Sequence, residues 1–96
     1  MTELTLISTH SRPLKPLIEA VLANEARLLE AGIRRTEERL NAFETKYNLP
    51  TVEFIRRYEN DEFEETLEFA EWIGEFRMAE MLREKLDVLR GIDFAN

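Results

Sequence analysis

One long run of helix-compatible sequence constrains the fold of this 96-residue chain more than any other feature. After Pro16 no proline occurs before Pro50, and Gly32 is the single glycine between them. Along this run, apolar positions alternate at spacings of three and four, as in a helix that packs on another helix through a heptad seam. The seam comprises Leu22, Ala26, Leu29, Ile33, Thr36, Leu40, Phe43 and Tyr47. The pattern therefore predicts a long helix over residues 14–47.

A helix of about 34 residues would extend roughly 50 Å at 1.5 Å per residue. A globule of this size cannot cover such a length alone, so we expect the helix to dimerise or to lie along a partner. A break at Gly32 into two antiparallel helices is the alternative, although a glycine inside a helix costs only about 1 kcal/mol. The predicted dimer interface consists of Leu22, Ala26, Leu29, Ile33, Leu40 and Phe43.

The segment before this helix is predicted to form a short strand. Residues 3–8 alternate weakly in the manner of a strand, within an N-terminal arm over residues 1–12. Pro13 and Pro16 end any strand and can occupy the first turn of a helix.

Two more helices are expected after residue 47. Pro50 disfavours helix at the residue before it, and Thr51 can cap a short helix over residues 51–59. Asp61 and Glu64 have the spacing of a capping box, which predicts a last helix over residues 62–90 that ends at Gly91. We therefore predict one mainly α domain, a helical hairpin or bundle completed by dimerisation.

An acidic and aromatic segment lies at the start of that last helix. Between Tyr58 and Phe76 the chain carries eight carboxylates and neither Lys nor Arg, together with five of its nine aromatic residues. On a helix, six carboxylates fall in a stripe of roughly 120° that also contains Trp72. They are Asp61, Glu64, Glu65, Glu68, Glu71 and Glu75. The opposite side is the expected core, with Phe63, Leu67, Ala70 and Ile73.

The stripe favours a surface that binds a basic partner. The helix dipole accounts for acidic residues in a first turn only, so Glu68, Glu71 and Glu75 need another explanation. Trp is enriched among interface hot spots, and carboxylates attract basic proteins. The predicted partner-binding residues are Glu64, Glu65, Glu68, Phe69, Glu71, Trp72, Glu75 and Phe76. The alternative is a solvated stripe with Trp72 buried against the long helix. Beyond Gly74 the apolar positions change sides, which suggests a bend or a change of packing neighbour.

The sequence shows no pattern typical of an enzyme or of a cofactor or metal site. His10 is the only histidine, cysteine is absent, and three glycines are too few for a phosphate-binding loop. A net charge of −7 argues against a general nucleic-acid binder. With no signal-peptide pattern, no membrane-length apolar run and no cysteine, we expect a cytoplasmic protein without catalytic, cofactor-binding or metal-binding residues.

The second half of the chain contains a set of distinctive short strings. They are Lys46-Tyr47-Asn48-Leu49, Glu53-Phe54, Arg56-Arg57-Tyr58-Glu59, Glu71-Trp72 and Arg83-Glu84-Lys85-Leu86. In these strings the chain resembles small bacterial and archaeal antitoxin-like proteins, although Asn48 stands where their pattern has glycine. The resemblance implies a non-enzymatic protein, encoded beside a small toxin such as an RNase, that neutralises the toxin by direct binding. A structural or adaptor homodimer and a small DNA-binding regulator are the alternatives.

Overall fold

The protein is mainly helical. A computed structural model describes residues 2–4 and 14–94, which form helices α1 (Leu14–Tyr47), α2 (Thr51–Glu59) and α3 (Leu67–Arg90). Strand β1 (Thr2–Leu4) pairs in parallel with strand β2 (Ile92–Phe94). Most of the predicted strand over residues 3–8, and of the arm over residues 1–12, lies outside the described residues. The three predicted helices are present, and α1 continues through Gly32 without a break.

Helices α1 and α3 form an antiparallel hairpin. Ion pairs join Arg39 to Glu75 and Glu30 to Arg90 along its length. Midway between them, a Cβ added to Gly32 would lie 3.1 Å from Leu82 Cδ1, so the two helices approach closely at this point. Helix α1, with 34 residues, is longer than α3, with 24.

The heptad seam of α1 packs on α3 of the same chain. Leu29 and Thr36 are buried within it, and Phe43 stacks on Trp72. The remaining seam residues are half-buried. The face predicted to form a dimer interface is therefore used inside one protomer, because α3 supplies a heptad stripe of its own.

That stripe consists of Trp72, Ala79 and Leu86, which are spaced by seven residues and are all buried. The predicted change of sides at Gly74 is therefore wrong: one side of α3 faces α1 from end to end. In the first half of α3 this is the side that carries Trp72, and the expected core residues Leu67 and Ala70 are exposed.

Both turns between helices use a residue in the left-handed region. Asn48 has φ 50° and Asp61 has φ 56°. At each turn the next residue donates a backbone hydrogen bond back into the helix that has ended: Leu49 to Glu44, and Glu62 to Arg57. This is the bonding of a Schellman motif, the usual way in which a helix C-terminus satisfies its free carbonyls.

Asp61 therefore ends α2 rather than starting α3. Helix α3 begins five residues later than predicted, at Leu67, and the hydroxyl of Thr66 accepts a hydrogen bond from the Phe69 backbone N–H over 3.1 Å. The predicted capping box of Asp61 and Glu64 is not formed. Gly91 follows the last helical residue, as the sequence indicates.

The start of α2 also differs from the prediction. Pro50 occupies the cap position without a side-chain bond, and Thr51 is the first helical residue. The Thr51 backbone N–H is bound instead by the Glu44 carboxylate, over 2.6 Å. A carboxylate from the end of α1 thus takes the capping role, which leaves the Thr51 hydroxyl free for another partner.

The hairpin has a thin core and an elongated shape. Among the described residues only five apolar side chains are buried: Leu29, Phe54, Trp72, Ala79 and Leu86. The molecule measures 61 × 21 × 18 Å. None of the described helices is long and apolar enough to cross a membrane.

Candidate functional site

Trp72 lies at the centre of an aromatic cluster where α1, α2 and α3 meet. Its ring stacks on that of Phe54, with centroids 3.8 Å apart and an interplanar angle of 5°, and both side chains are completely buried. Phe43 and Tyr47 of α1 also stack on it, with centroids 5.4 and 5.6 Å away. Trp72 Nε1 donates a hydrogen bond to Thr51 Oγ1 over 3.0 Å. The expected exposure of Trp72 in a partner-binding surface is therefore wrong, and the residue organises the core.

Two carboxylates of the acidic stripe, Glu68 and Glu75, face α1 as well. Glu68 accepts a hydrogen bond from Lys46, and Glu75 accepts one from Arg39 over 3.0 Å. The hydrogen bond from Lys46 is the main reason that the pKa of Glu68 lies below its usual value. These carboxylates flank a buried tryptophan and pair with bases of the neighbouring helix, so their first role is to join α3 to α1.

Four ion pairs of this kind connect the two long helices: Arg39–Glu75, Lys46–Glu68, Arg83–Glu37 and Arg90–Glu30. In each pair the basic side chain is 49–59% exposed, and ion pairs in contact with solvent contribute only about 0–1 kcal/mol each. They set the alignment of α1 on α3 more than they stabilise the fold.

The other residues predicted to bind a partner are dispersed. Glu64 is exposed between α2 and α3, and Glu71 is exposed on α3. Glu65 accepts a hydrogen bond from the Tyr58 hydroxyl over 3.0 Å. Phe69 packs in the aromatic cluster, 5.2 Å from both Tyr47 and Phe54. The structure thus brings Phe69 and Trp72 together inside the protein rather than on its surface.

Phe76 has a different place, in a groove between α2 and α3. Half-buried apolar side chains, Ile55, Ile73 and Phe76, line this groove, which has a volume of about 300 Å³. Its charged lining consists of Glu59, Asp61, Arg77 and Glu80, all exposed. We call this site the acidic groove.

An apolar groove with three carboxylates and one guanidinium suits a cationic side chain. Lys and Arg bury their aliphatic stems along apolar surface while the charged head stays near solvent. A guanidinium can also form paired, charge-assisted hydrogen bonds with a carboxylate. The acidic groove can therefore hold a Lys or Arg side chain presented by another protein.

Charge is distributed unevenly over the hairpin. We call residues 34–80 the closed end, because this part includes α2 and both turns. The closed end contains seven basic and thirteen acidic side chains, so it carries −6 of the net charge of −7. The rest of the chain, with six basic and seven acidic side chains, is nearly neutral. A positively charged protein is therefore attracted to one end of the molecule.

The acidic groove was missed from the sequence because the wrong side of α3 was assigned to the core. Ile73, Phe76 and Glu80 do have the i, i+3, i+7 spacing of one helix face. If Trp72 had been assigned to the core, this face of α3 would have been predicted to lie on the surface, next to α2. The described residues hold no group of three or more His, Cys, Asp or Glu side chains arranged to bind a metal ion. His10 lies outside them.

Comparisons with protein-family models, with curated proteins and with solved structures find no match for this chain.

Proposed function

We propose that this chain is a non-enzymatic protein inhibitor that binds a basic partner at its acidic closed end. The supporting observation is that the closed end carries −6 of the net charge of −7 and contains a groove with an apolar floor and three carboxylates in its lining. Such an arrangement accelerates association with a cationic protein and supplies apolar area for the bound state. The resemblance to antitoxin-like proteins implies the same kind of partner, a small toxin such as an RNase.

The proposed binding residues differ from those expected from the sequence. Phe76 remains, because it lies in the acidic groove, and it is joined by Glu59, Asp61 and Glu80. Trp72 is removed because it is buried. Glu68 and Glu75 are already paired with bases of α1, so reversing their charge would disturb the hairpin itself.

The test is co-expression with the product of the adjacent reading frame, followed by isolation of the complex at low and at high salt. We expect a stoichiometric complex that weakens with salt, because the attraction is screened. The variant Glu59→Lys/Glu80→Lys should reduce the affinity by about tenfold or more, since it reverses charges at the groove.

The matched control is Glu38→Lys/Asp87→Lys, which makes the same change in net charge at two exposed positions outside the groove. It should retain most of the affinity. Equal loss in both variants would mean that net charge alone drives binding, and the groove would be rejected. Absence of any complex with the adjacent product, at either salt concentration, would contradict the inhibitor function.

A further inference from the structure

The size of the acidic groove fits one side chain of a partner rather than a longer segment. Its volume of about 300 Å³ lies at the lower end of the range of roughly 300–1,000 Å³ that is usual for ligand sites. It lies between α2 and α3, and its apolar floor can cover the aliphatic stem of a long side chain. The chemistry of the lining therefore determines which side chain is preferred.

One aromatic ring from each helix lines the groove. Tyr58 comes from α2 and Phe76 from α3, and both side chains are half-buried. Two contacts fix Tyr58 in place. Its hydroxyl donates a hydrogen bond to Glu65 over 3.0 Å, and its ring centroid lies 5.7 Å from that of Phe54, which is completely buried. The groove therefore presents ordered aromatic surface to a bound group.

The charged lining of the groove is not neutralised by the fold. Within the part of the chain that the structure describes, none of Glu59, Asp61 and Glu80 forms an ion pair with a base. Three carboxylates and the guanidinium of Arg77 give the groove a charge of −2. The groove therefore attracts a cation, and Arg77 opposes the entry of a second one.

Aromatic surface and carboxylates together distinguish arginine from lysine. A guanidinium is planar and weakly hydrated, so it can stack on an aromatic ring while its N–H groups donate to carboxylates. An ammonium group is a compact and strongly hydrated point charge, so it gains the attraction of the carboxylates but gives up more hydration on an apolar surface. A purely electrostatic site would not separate the two.

We infer that the acidic groove selects an arginine of the basic partner, whose guanidinium lies against the rings of Tyr58 and Phe76 and pairs with the carboxylates of the lining. The inference rests on the proposed inhibitor function for the kind of partner, and it adds the side chain by which that partner is anchored. A lysine at the same place is attracted to the groove but bound more weakly.

Two peptides of equal charge test this selectivity, acetyl-Gly-Arg-Gly-amide and acetyl-Gly-Lys-Gly-amide. NMR titration of the isotope-labelled full chain at low salt measures the affinity of each peptide and locates its site. The arginine peptide should shift the amide resonances around the acidic groove and bind about two- to fivefold more tightly, the amount that a cation–π contact supplies at an exposed site. Equal affinities, tighter binding of the lysine peptide, or shifts confined to another part of the protein would overturn the inference.

Phe76→Leu separates the aromatic ring from the charge. It keeps an apolar side chain in the groove, so the helical circular dichroism signal should persist while the affinities for the two peptides converge. Glu59→Gln/Glu80→Gln should instead weaken the binding of both peptides.

The matched control is Glu38→Gln/Asp87→Asn, which removes two exposed carboxylates outside the groove and should leave both affinities nearly unchanged. Full arginine preference in Phe76→Leu, or equal weakening in the control and the groove variant, would contradict the inference.

The peptide titration and the co-expression test can fail independently. A stoichiometric complex with the adjacent product, together with equal affinities for the two peptides, would reject the arginine selectivity and retain the inhibitor function. Arginine preference without any such complex would retain the selectivity of the groove and reject the inhibitor function.

Discussion

A buried hydrogen bond between Trp72 and Thr51 links α3 to the start of α2. The Nε1–Oγ1 distance is 3.0 Å, and both side chains are buried. Thr51→Val preserves the shape but removes the acceptor, which leaves a buried indole N–H without a partner. An unsatisfied buried donor costs about 1–3 kcal/mol, so the free energy of unfolding measured in urea should fall by that amount.

The control substitution at this position is Thr51→Ser, which keeps the hydroxyl and should recover part of the loss. A double-mutant cycle with Trp72→Phe isolates the hydrogen bond from the loss of indole volume. In the double variant no indole N–H remains to be satisfied, so the two single effects should sum to more than the double effect. Strict additivity would show that the hydrogen bond contributes nothing to stability.

Asn48 occupies the turn that ends α1. Its φ of 50° lies in the left-handed region, where an L side chain costs about 1–2 kcal/mol and asparagine is tolerated better than most. We expect Asn48→Ala to unfold at lower urea concentration than Asn48→Gly, by about 1 kcal/mol in free energy. Both variants lose the amide, so their difference reports the left-handed backbone conformation, reduced by the greater entropy of glycine in the unfolded chain. Equal stability of the two would contradict a left-handed residue at this turn.

Residue identity alone did not reveal which side of α3 is buried. Trp72 and the carboxylates Glu68 and Glu75 share one side, and the sequence shows that they do. The two acidic residues suggested that this side of α3 is exposed to solvent. They lie instead at the edge of the contact between α3 and α1, and Trp72 occupies the centre of that contact. The buried side of α3 is identified by the bases that pair with these acids. Arg39 pairs with Glu75, 36 residues away in the chain, and Lys46 pairs with Glu68, 22 residues away. Alignment of the two helices cannot be read from local spacing.

On the element scale, helix α2 contains its own acid-sensitive network. Glu53 accepts hydrogen bonds from Arg56 and Arg57, which lie one turn further along the same helix, and these bonds lower the pKa of Glu53 from 4.5 to about 2. A lowered folded-state pKa stabilises the fold above the unfolded-state value. This contribution should be complete above pH 4.5 and should be lost as the pH falls towards 2.

Thermal unfolding between pH 2 and pH 6 measures this effect. Glu53→Gln should reduce the dependence of the melting temperature on pH in this window, because the substituted side chain does not titrate. Glu64→Gln, which removes an exposed carboxylate between α2 and α3, serves as the matched control and should retain more of the dependence. An NMR titration that placed the Glu53 midpoint near 4.5 would exclude the network.

The elements were more predictable than their ends. Proline positions and heptad spacing indicate α1 and α2 over the ranges that the structure shows, because both signals act within a few residues. The start of α3 was missed since Asp61 and Glu64 match a capping box by spacing alone. In the fold Asp61 adopts the left-handed backbone conformation of the turn that ends α2. One residue cannot both end a helix in that conformation and cap the next.

Considered as a whole molecule, the hairpin carries −6 of its net charge of −7 at the closed end. A basic partner would therefore be attracted to that end rather than to the nearly neutral remainder of the chain. The acidic run between Tyr58 and Phe76 predicted an acidic binding surface, but the position now proposed for that surface depends on which face of α3 packs on α1.

Stability of the whole molecule should depend on protein concentration if two hairpins share one core. For a dimer that unfolds to two chains, each tenfold increase in concentration adds about 1.4 kcal/mol to the free energy of unfolding. If the homodimer predicted from the sequence forms, the urea midpoint should therefore rise with protein concentration. A midpoint that does not change with concentration would mean that the five buried apolar side chains of one chain hold the fold unaided.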